Sequence, residues 1–392
     1  MTLPALPVAL FAFHLWVGAA AIRESLKLAR RFRAQPFLER EGDFPRAATD
    51  TSITVIIPAR NEEATLAACV RAALAQRVPL LQVVVVDDHS EDGTLAVASA
   101  IAREDPRLSV VRAAELPAGW TGKSHALHQG VGVATGEWLL FTDADVVLAP
   151  EALATALAFA EAQRLDLLSL SPRQRCDGFW ERLIQPLVFR LLTERFDMRS
   201  VNDPAATAAA ANGQFILIRW AAYLRVGGHA AVSGEILEDV ALARRAKRAG
   251  LRVYFANTRS LAEARMYRGL AAIWEGWRKN LFDLLDSSPR AAATVALREL
   301  LLWAAPFATF PLSLALSAYN TSVGLPVVVT GALALVCALA SSAYLRWLAD
   351  AFPRYALLLP IGTVMLVSML VASWYRRAVR RRVVWKGRTY KA

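Results

Sequence analysis

The sequence predicts an α/β domain with a mostly parallel sheet, set between hydrophobic helices that precede and follow it in the chain. Three observations predict this. Between residues 51 and 260, short apolar runs rich in Val, Ile and Leu alternate with stretches of helical periodicity. That is the pattern of strands covered by helices on both faces. Residues 1–22 are almost wholly apolar and carry no Lys or Arg. Three further apolar segments, Leu300–Ala318, Val323–Tyr344 and Tyr355–Trp374, are each close to the ~20 residues needed to cross a bilayer.

The elements follow in order. The apolar start is trailed directly by RESLKLARRFR, whereas a signal peptide carries its positive charge before the apolar run. Residues 1–22 are therefore expected to anchor the chain, N-terminus outside and basic flank inside. Residues 23–50 read as a basic linker with Pro36, Gly42 and Pro45. Strands are expected at Ile53–Ile57, Gln82–Val86, Leu108–Val111, Trp138–Phe141, Leu167–Leu170, Phe215–Ile218 and Val253–Phe255. Helices are expected at Glu63–Ala75, Thr94–Arg103, Ser124–Ala134, Pro150–Gln163 and Asp239–Ala249. Within residues 261–290, Ile273, Trp277, Leu281 and Leu284 fall on one helical face. Aromatic and basic residues beside them suggest an amphipathic helix at the membrane interface.

Residues 291–375 then hold two or three membrane segments, and residues 376–392 form a basic tail. Their topology does not close. With the α/β domain cytosolic, three C-terminal crossings leave the tail outside, yet its arginines favour the inside; Arg346 and Arg354 favour placing the preceding loop inside as well. One segment is expected to be re-entrant or interfacial. Leu300–Ala318, with Pro306 and Pro311, is the first candidate; Tyr355–Trp374, with Pro360 and Gly362, is the second.

Composition agrees with a mixed architecture, since 55% of the 392 residues are hydrophobic. The net charge of +11 gathers beside apolar runs, at Arg23–Arg33 and Arg376–Arg388. That placement suits anionic lipid headgroups and argues against a nucleic-acid partner. Cys69, Cys176 and Cys337 form no CxxC pair, so neither a disulfide framework nor a zinc site is indicated.

In open α/β sheets ligands bind beyond the carboxyl ends of the strands. Two acidic clusters fall at such ends, Asp87-Asp88 and Asp143-Ala144-Asp145; a third, Glu238-Asp239, opens a helix. An Asp-x-Asp at a strand end turns two carboxylates to one site, which suits a hard divalent cation bridging to phosphates. Alone it reads equally as two surface acids at a turn. Glu238-Asp239 has its own plain reading, because acids favour helix N-termini. The companionship of all three makes Asp239, with Glu238 beside it, a candidate general base. His125 and His128 have no third nitrogen or sulfur ligand nearby and read as helix-surface residues; His89 and His229 lie in loops with no assigned part.

The ordered set VIIPARNEE, VVVVDDHSEDGT, GK-x₃-L-x₂-G-x₃-ATGEWLLFTDAD and GEILEDVALARRAKRAG resembles family 2 glycosyltransferases. The likeness is to the membrane-bound branch that includes ceramide glucosyltransferase and bacterial hopanoid- and carotenoid-associated transferases. It covers roughly residues 53–280. The resemblance implies a GT-A fold and inverting transfer of one sugar from a nucleotide-sugar donor, UDP-glucose or similar, to a membrane lipid hydroxyl. It implies that Pro58, Arg60, Glu62 and Asp88 line the nucleoside pocket and that Lys123 sits near the phosphates. Asp143 and Asp145 would hold Mg²⁺ or Mn²⁺ and the diphosphate, and Asp239 would be the base. Membrane members usually carry (Q/R)xxRW after the catalytic acid. Here the chain reads Arg265-Met266-Tyr267-Arg268-Gly269, without the Trp, while Trp274 and Trp277 follow on the next helix. Arg265 and Arg268 stay candidates for the diphosphate, because guanidinium binds phosphate oxygens as a fork. A processive polysaccharide synthase and an inactive membrane scaffold remain as alternatives.

Overall fold

The computed structural model describes residues 5–39, 51–78, 80–319, 321–379, 382–385 and 388–391. Residues 40–50 of the expected linker lie outside the described residues. The chain divides into two compact units. A sheet unit takes residues 35–175 and 196–266; a helical unit takes residues 1–34, 176–195 and 267–392. The α/β domain thus begins earlier and ends later than the 51–260 read from sequence, and it surrenders residues 176–195 to the helical unit.

Ten strands build the sheet unit. They are β1 (Ser52–Ala59), β2 (Leu80–Asp87), β3 (Leu108–Arg112), β4 (Trp138–Phe141), β5 (Val146–Leu148), β6 (Leu167–Ser171), β7 (Arg173–Gln174), β8 (Ile216–Arg219), β9 (Val253–Asn257) and β10 (Ala262–Ala264). Seven of them form the main sheet, in the order β3-β2-β1-β4-β8-β6-β9. Strand β8 runs antiparallel to both neighbours and the other pairings are parallel. The interior strands read as unbroken apolar runs because both faces are covered. Val83, Val84, Val85 and Val86 are all fully buried. Alternate residues of β1 divide between two cores: Ile53, Val55 and Ile57 pack on one face, and Ile56 packs on the other.

This topology decides where chemistry can sit. Ala59 pairs with Asp87, and Ile56 with Phe141, so β1, β2 and β4 end along one rim. Phe141 also pairs with Ile216, so antiparallel β8 starts at that same rim. The loop before β8 is thereby brought to the ends of β1, β2 and β4. A small second sheet, β5-β10-β7, follows the Asp-x-Asp. The sequence-predicted linker 23–50 is instead helical as far as Arg33, continuing the first helix in the helical unit, and its residues 35–39 belong to the sheet unit. Phe37 bridges Asn257, Leu38 is buried, and the Glu39 carboxylate accepts from the N–H groups of Arg259 and Ser260.

In the helical unit, four helices among the described residues are long and apolar enough to cross a membrane. They are Leu6–Arg33, Pro289–Ala318, Gly324–Leu348 and Pro353–Ala378. The first, the third and the latter half of the second (Ala305–Tyr319) pack on one another. The apolar core of the fourth, Leu359–Trp374, packs elsewhere. Its neighbours are Phe179–Arg195, Gly269–Asn280, Pro289–Glu299 and a π-helical turn at Leu300–Ala304 that interrupts the second helix. The fourth helix leaves Leu357, Ile361, Val364 and Val371 exposed along one side. Ile273, Trp277 and Leu281 are buried inside the unit, with Trp277 edge-on to Tyr267 and Phe189.

Two residues carry more than their sequence context shows. Pro186 lies inside the Phe179–Arg195 helix, where it has no N–H to offer the carbonyl four residues back. The Arg346 guanidinium fills that gap, donating to the carbonyls of Arg182 at 2.7 Å and Leu183 at 2.9 Å. Arg346 is 2% exposed. It acts as a structural cap for the two carbonyls.

Candidate active site

The helix Gly122–Val131 starts at a Thr121 cap, whose hydroxyl accepts from Ser124 N–H. Its first turn delivers Lys123 to the rim, where the ammonium lies 2.7 Å from Asp143 Oδ1 and 2.9 Å from Glu238 Oε1. Asp143 leaves the end of β4, and Glu238 opens the helix Glu238–Arg248. Two of the three acidic clusters are therefore joined through one lysine. Burial alone would lower the Lys123 pKa, but Asp143, Glu238 and Asp239 override it and hold it well above the usual lysine range.

The loop before β8 completes the group. Gly213 N–H donates to Asp239 Oδ2 at 2.9 Å, and Val240 N–H donates to its Oδ1 at 2.8 Å. A Cβ on Gly213 would stand 2.9 Å from Lys123 Nζ and 3.5 Å from Asp239 Oδ2. Glycine there gives the backbone the close approach that both charged groups require. Burial, then the charge of Glu238, pushes the Asp239 carboxyl up to about 6, against the pull of Lys123 and the two N–H groups. A carboxylate so tuned is basic enough to accept a proton near neutral pH.

Asp145 lies two residues past Asp143, just before β5. Its Oδ1 is buried with no hydrogen-bond partner. Burial, then the charges of Asp143 and Glu62, pushes it up to about 7. The site thus holds a buried acceptor oxygen with no hydrogen-bond donor, among hard carboxylate oxygens. These suit Mg²⁺ or Mn²⁺. No group of three or more His, Cys, Asp or Glu side chains disposed to hold a metal occurs among the described residues.

Residues of the expected nucleoside pocket meet at the neighbouring ends of β1 and β2. Arg60 donates to the Asp88 carbonyl at 2.8 Å, and Asp88 N–H bonds the Ala59 carbonyl. Glu62 binds the Thr65 hydroxyl and takes Thr94 Oγ1 on its own N–H. Pro58 is the penultimate residue of β1. Asp87, 1% exposed, keeps one carboxylate oxygen without a partner. Through its effect on Asp145, Glu62 links this group to the Asp-x-Asp. Arg265 lies one residue before the end of the sheet unit and is half-buried; Arg268 belongs to the helical unit and is exposed.

Sequence reasoning missed the Asn212-Gly213-Gln214 loop and Glu181. The first had only an Asn-Gly turn signal, and its value depends on the antiparallel β8. The second lies in the helical unit, 1% exposed, and accepts from the N–H groups of Asp177, Gly178 and Gly269. Gly269 has φ +77°, a conformation that a Trp at the position usual in (Q/R)xxRW would strain. Trp277 is core, not a substitute ligand. The histidines also differ from expectation. His125 is buried and bonded to Gln129 at 2.9 Å, and His229 is buried against Tyr223 at 3.0 Å. Burial pushes His229 down to about 3, so it is neutral.

The sequence matches Glycosyl transferase family 2 over residues 54–216 and Glycosyl transferase family group 2 over residues 138–370. The second match covers more than half of the chain. The protein belongs to the family 2 glycosyltransferases. It is 32% identical over 235 residues to the 4,4'-diaponeurosporenoate glycosyltransferase of Staphylococcus aureus strain USA300, and equally so to that of strain MRSA252. The USA300 match spans 59% of this chain and 60% of the relative. A mannosyltransferase from Pyrobaculum calidifontis, solved with GDP-Man and Mn²⁺, superposes with a TM-score of 0.55 at 21% identity. That likeness covers 95% of this chain and 99% of the other, and it establishes a shared GT-A fold. The family 2 transferase here therefore has the mostly parallel sheet and flanking apolar helices expected from its sequence.

Proposed function

We propose that the protein is a membrane-bound, inverting glycosyltransferase that moves one sugar from a nucleotide-sugar donor to a membrane lipid, an apolar acceptor of carotenoid kind. The observation that carries this reading is the single charged group at the sheet rim, in which Lys123 joins Asp143 to Glu238 beside Asp239. Family membership and the carotenoid substrate in the relative's name support the acceptor class.

In this reading Asp87, Asp88, Arg60 and Glu62 face the nucleoside, and Lys123 sits against the diphosphate. Asp143 and Asp145 hold a divalent cation, which would neutralise charge on the departing diphosphate. Arg265 supplies further positive charge to that group. Asp239 takes the proton from the acceptor hydroxyl as its oxygen attacks the anomeric carbon. The bond to the diphosphate breaks on the opposite face, so configuration inverts. Glu238 keeps Asp239 basic, while Lys123 and Gly213 N–H hold it in place.

The membrane arrangement follows from packing and charge. The first helix, the latter half of the second, and the third form the spanning bundle. The fourth touches the third through its first turn, Pro353–Leu358, but its core packs on the first half of the second helix and on Phe179–Arg195 and Gly269–Asn280, and its exposed apolar side lies along the lipid. Three crossings put both the sheet unit and the basic tail in the cytosol, as the distribution of Arg and Lys requires.

The test is calorimetric titration of the purified protein with a panel of nucleotide sugars, with and without Mn²⁺. One donor is expected to bind more tightly with the cation, and Asp145→Ala is expected to erase the difference. A cation-dependent difference that persists undiminished in Asp145→Ala would remove the metal assignment.

A further inference from the structure

The groups that hold Asp239 are themselves held. Of the two N–H groups on its carboxylate, Val240 belongs to its own helix and moves with it, whereas Gly213 reaches it from the rim of the sheet. Gly213 lies in the turn Asn212–Phe215, which the Phe215 N–H closes on the Asn212 carbonyl at 3.0 Å. Connections of this kind are usually the mobile parts of a fold. This one is fastened from two sides by buried hydroxyls.

Thr142 stands between the end of β4 and Asp143, and its hydroxyl donates to the Gln214 carbonyl at 2.8 Å. Ser169, in the middle of β6, pairs with Ile216 at the start of β8. Its hydroxyl accepts from the Asn212 N–H at 2.8 Å and donates to the Phe215 carbonyl at 3.1 Å. Both residues are buried, beside Phe141 on β4 and Leu168 and Leu170 on β6. A hydroxyl in such surroundings destabilises unless it is hydrogen-bonded, and valine or alanine would fill the same space without that demand. Two strands thus direct a hydroxyl each onto one four-residue turn. The Gln214 N–H donates to Asn212 Oδ1 at 3.0 Å, and Gln174 Nε2, from β7, donates to Gln214 Oε1 at 2.7 Å. The peptide groups whose nitrogens belong to Asn212, Gln214 and Phe215 are all fixed, which leaves the Gly213 N–H projecting onto Asp239.

We propose that Thr142 and Ser169 are positioning residues for Asp239, clamping the Asn212–Phe215 turn so that the Gly213 N–H orients that carboxylate. Thr142 adjoins Asp143, so the clamp also fixes Asp239 against the strand end that carries the Asp-x-Asp. The charged groups facing Asp239 are Glu238, on its own helix, and Lys123, with Asp143 behind it. The two hydroxyls add no charge and act through direction alone. The clamp itself is independent of the chemistry; its effect on transfer rests on the reading of Asp239 as the base.

The first test needs no substrate: thermal midpoints of the full chain in detergent at pH 4 and pH 7.5. Asp239, raised to about 6, is protonated at the lower pH and ionised at the higher, and an N–H bonds a carboxylate more strongly than its acid. Thr142→Val keeps the shape and removes the hydroxyl. It is expected to lower the midpoint more at pH 7.5 than at pH 4, and the excess is expected to vanish beside Asp239→Asn. Ser169→Ala, on the other strand, is expected to do the same, and Thr142→Ser to match the wild type. Equal losses at the two pH values, or an excess that survives Asp239→Asn, would mean that the hydroxyls only pack the turn. In transfer, with the donor selected from a nucleotide-sugar panel, Thr142→Val is expected to lose about 10–100-fold in kcat with the donor KM unchanged. Undiminished kcat beside an inactive Asp239→Asn would remove the clamp from catalysis. Full activity of Asp239→Asn would instead remove the base, while the midpoints still decide the clamp.

Discussion

Asp239 is where residue-scale energetics and chemistry meet. Its carboxyl is raised to about 6 chiefly by burial and by Glu238. In the unfolded chain it would titrate near 3.8. The fold therefore holds a proton on it between those values, and stability falls as pH rises from about 4 to about 6. Above that range the penalty is complete. Because the side chain retains some exposure, it amounts to roughly 1–2 kcal/mol. Asp239→Asn is expected to relieve that penalty, raising the thermal midpoint at pH 7.5 and leaving it nearly unchanged at pH 4. The same substitution is expected to cut transfer about 10²–10⁴-fold while preserving donor affinity. In the wild type, kcat is expected to rise through an acidic limb near pH 6. A variant with full activity and an unshifted limb would remove Asp239 from the base role. The residue was legible in sequence because an acid pair opens a helix after two acidic strand ends. Its environment was not, since Lys123 and Gly213 reach it from distant segments.

At the scale of elements, the strands were the easiest to read. Val83–Val86 and Trp138–Phe141 are apolar runs with no rival interpretation, and both fall within β2 and β4. The short strands β5, β7 and β10 escaped because two or three residues carry no period. The Phe179–Arg195 helix was missed for another reason: Pro186 in its middle reads as a break. Arg346 repairs that break from the third long helix. This yields a coupled pair. Pro186→Ala restores a donor for the Arg182 carbonyl, so Arg346→Met should cost about 1–3 kcal/mol in the wild type and clearly less beside Pro186→Ala. Thermal denaturation of the four proteins of this cycle in detergent measures the coupling. Additive costs would show that Arg346 acts independently of the proline.

On the scale of the whole molecule, the sequence posed a conflict that the packing addresses. Four helices are long enough to cross, yet four crossings would put the basic tail on the far side from the sheet unit. Hydropathy could not say which helix fails, because it counts apolar residues and not their neighbours. The first candidate, Leu300–Ala318, supplies the packed half-helix Ala305–Tyr319 despite Pro311 within it. The second candidate touches the third long helix at its start, while its core Leu359–Trp374 packs on the first half of the second helix and on Phe179–Arg195 and Gly269–Asn280. A reporter fused after Ala392 is expected to read cytosolic, and one in the loop between the second and third long helices external. An external reading after Ala392 would mean that the fourth helix crosses.

The most direct measurement of the central claim is transfer itself. Purified protein in lipid would be given a panel of radiolabelled nucleotide sugars with Mg²⁺ or Mn²⁺ and an extract of apolar membrane lipids, and label would be followed by phase. The account expects cation-dependent label in the organic phase from one donor, absent with Asp239→Asn. Label in insoluble polymer would point instead to a processive synthase, and no label from any donor would contradict the assignment of the chain as a working transferase.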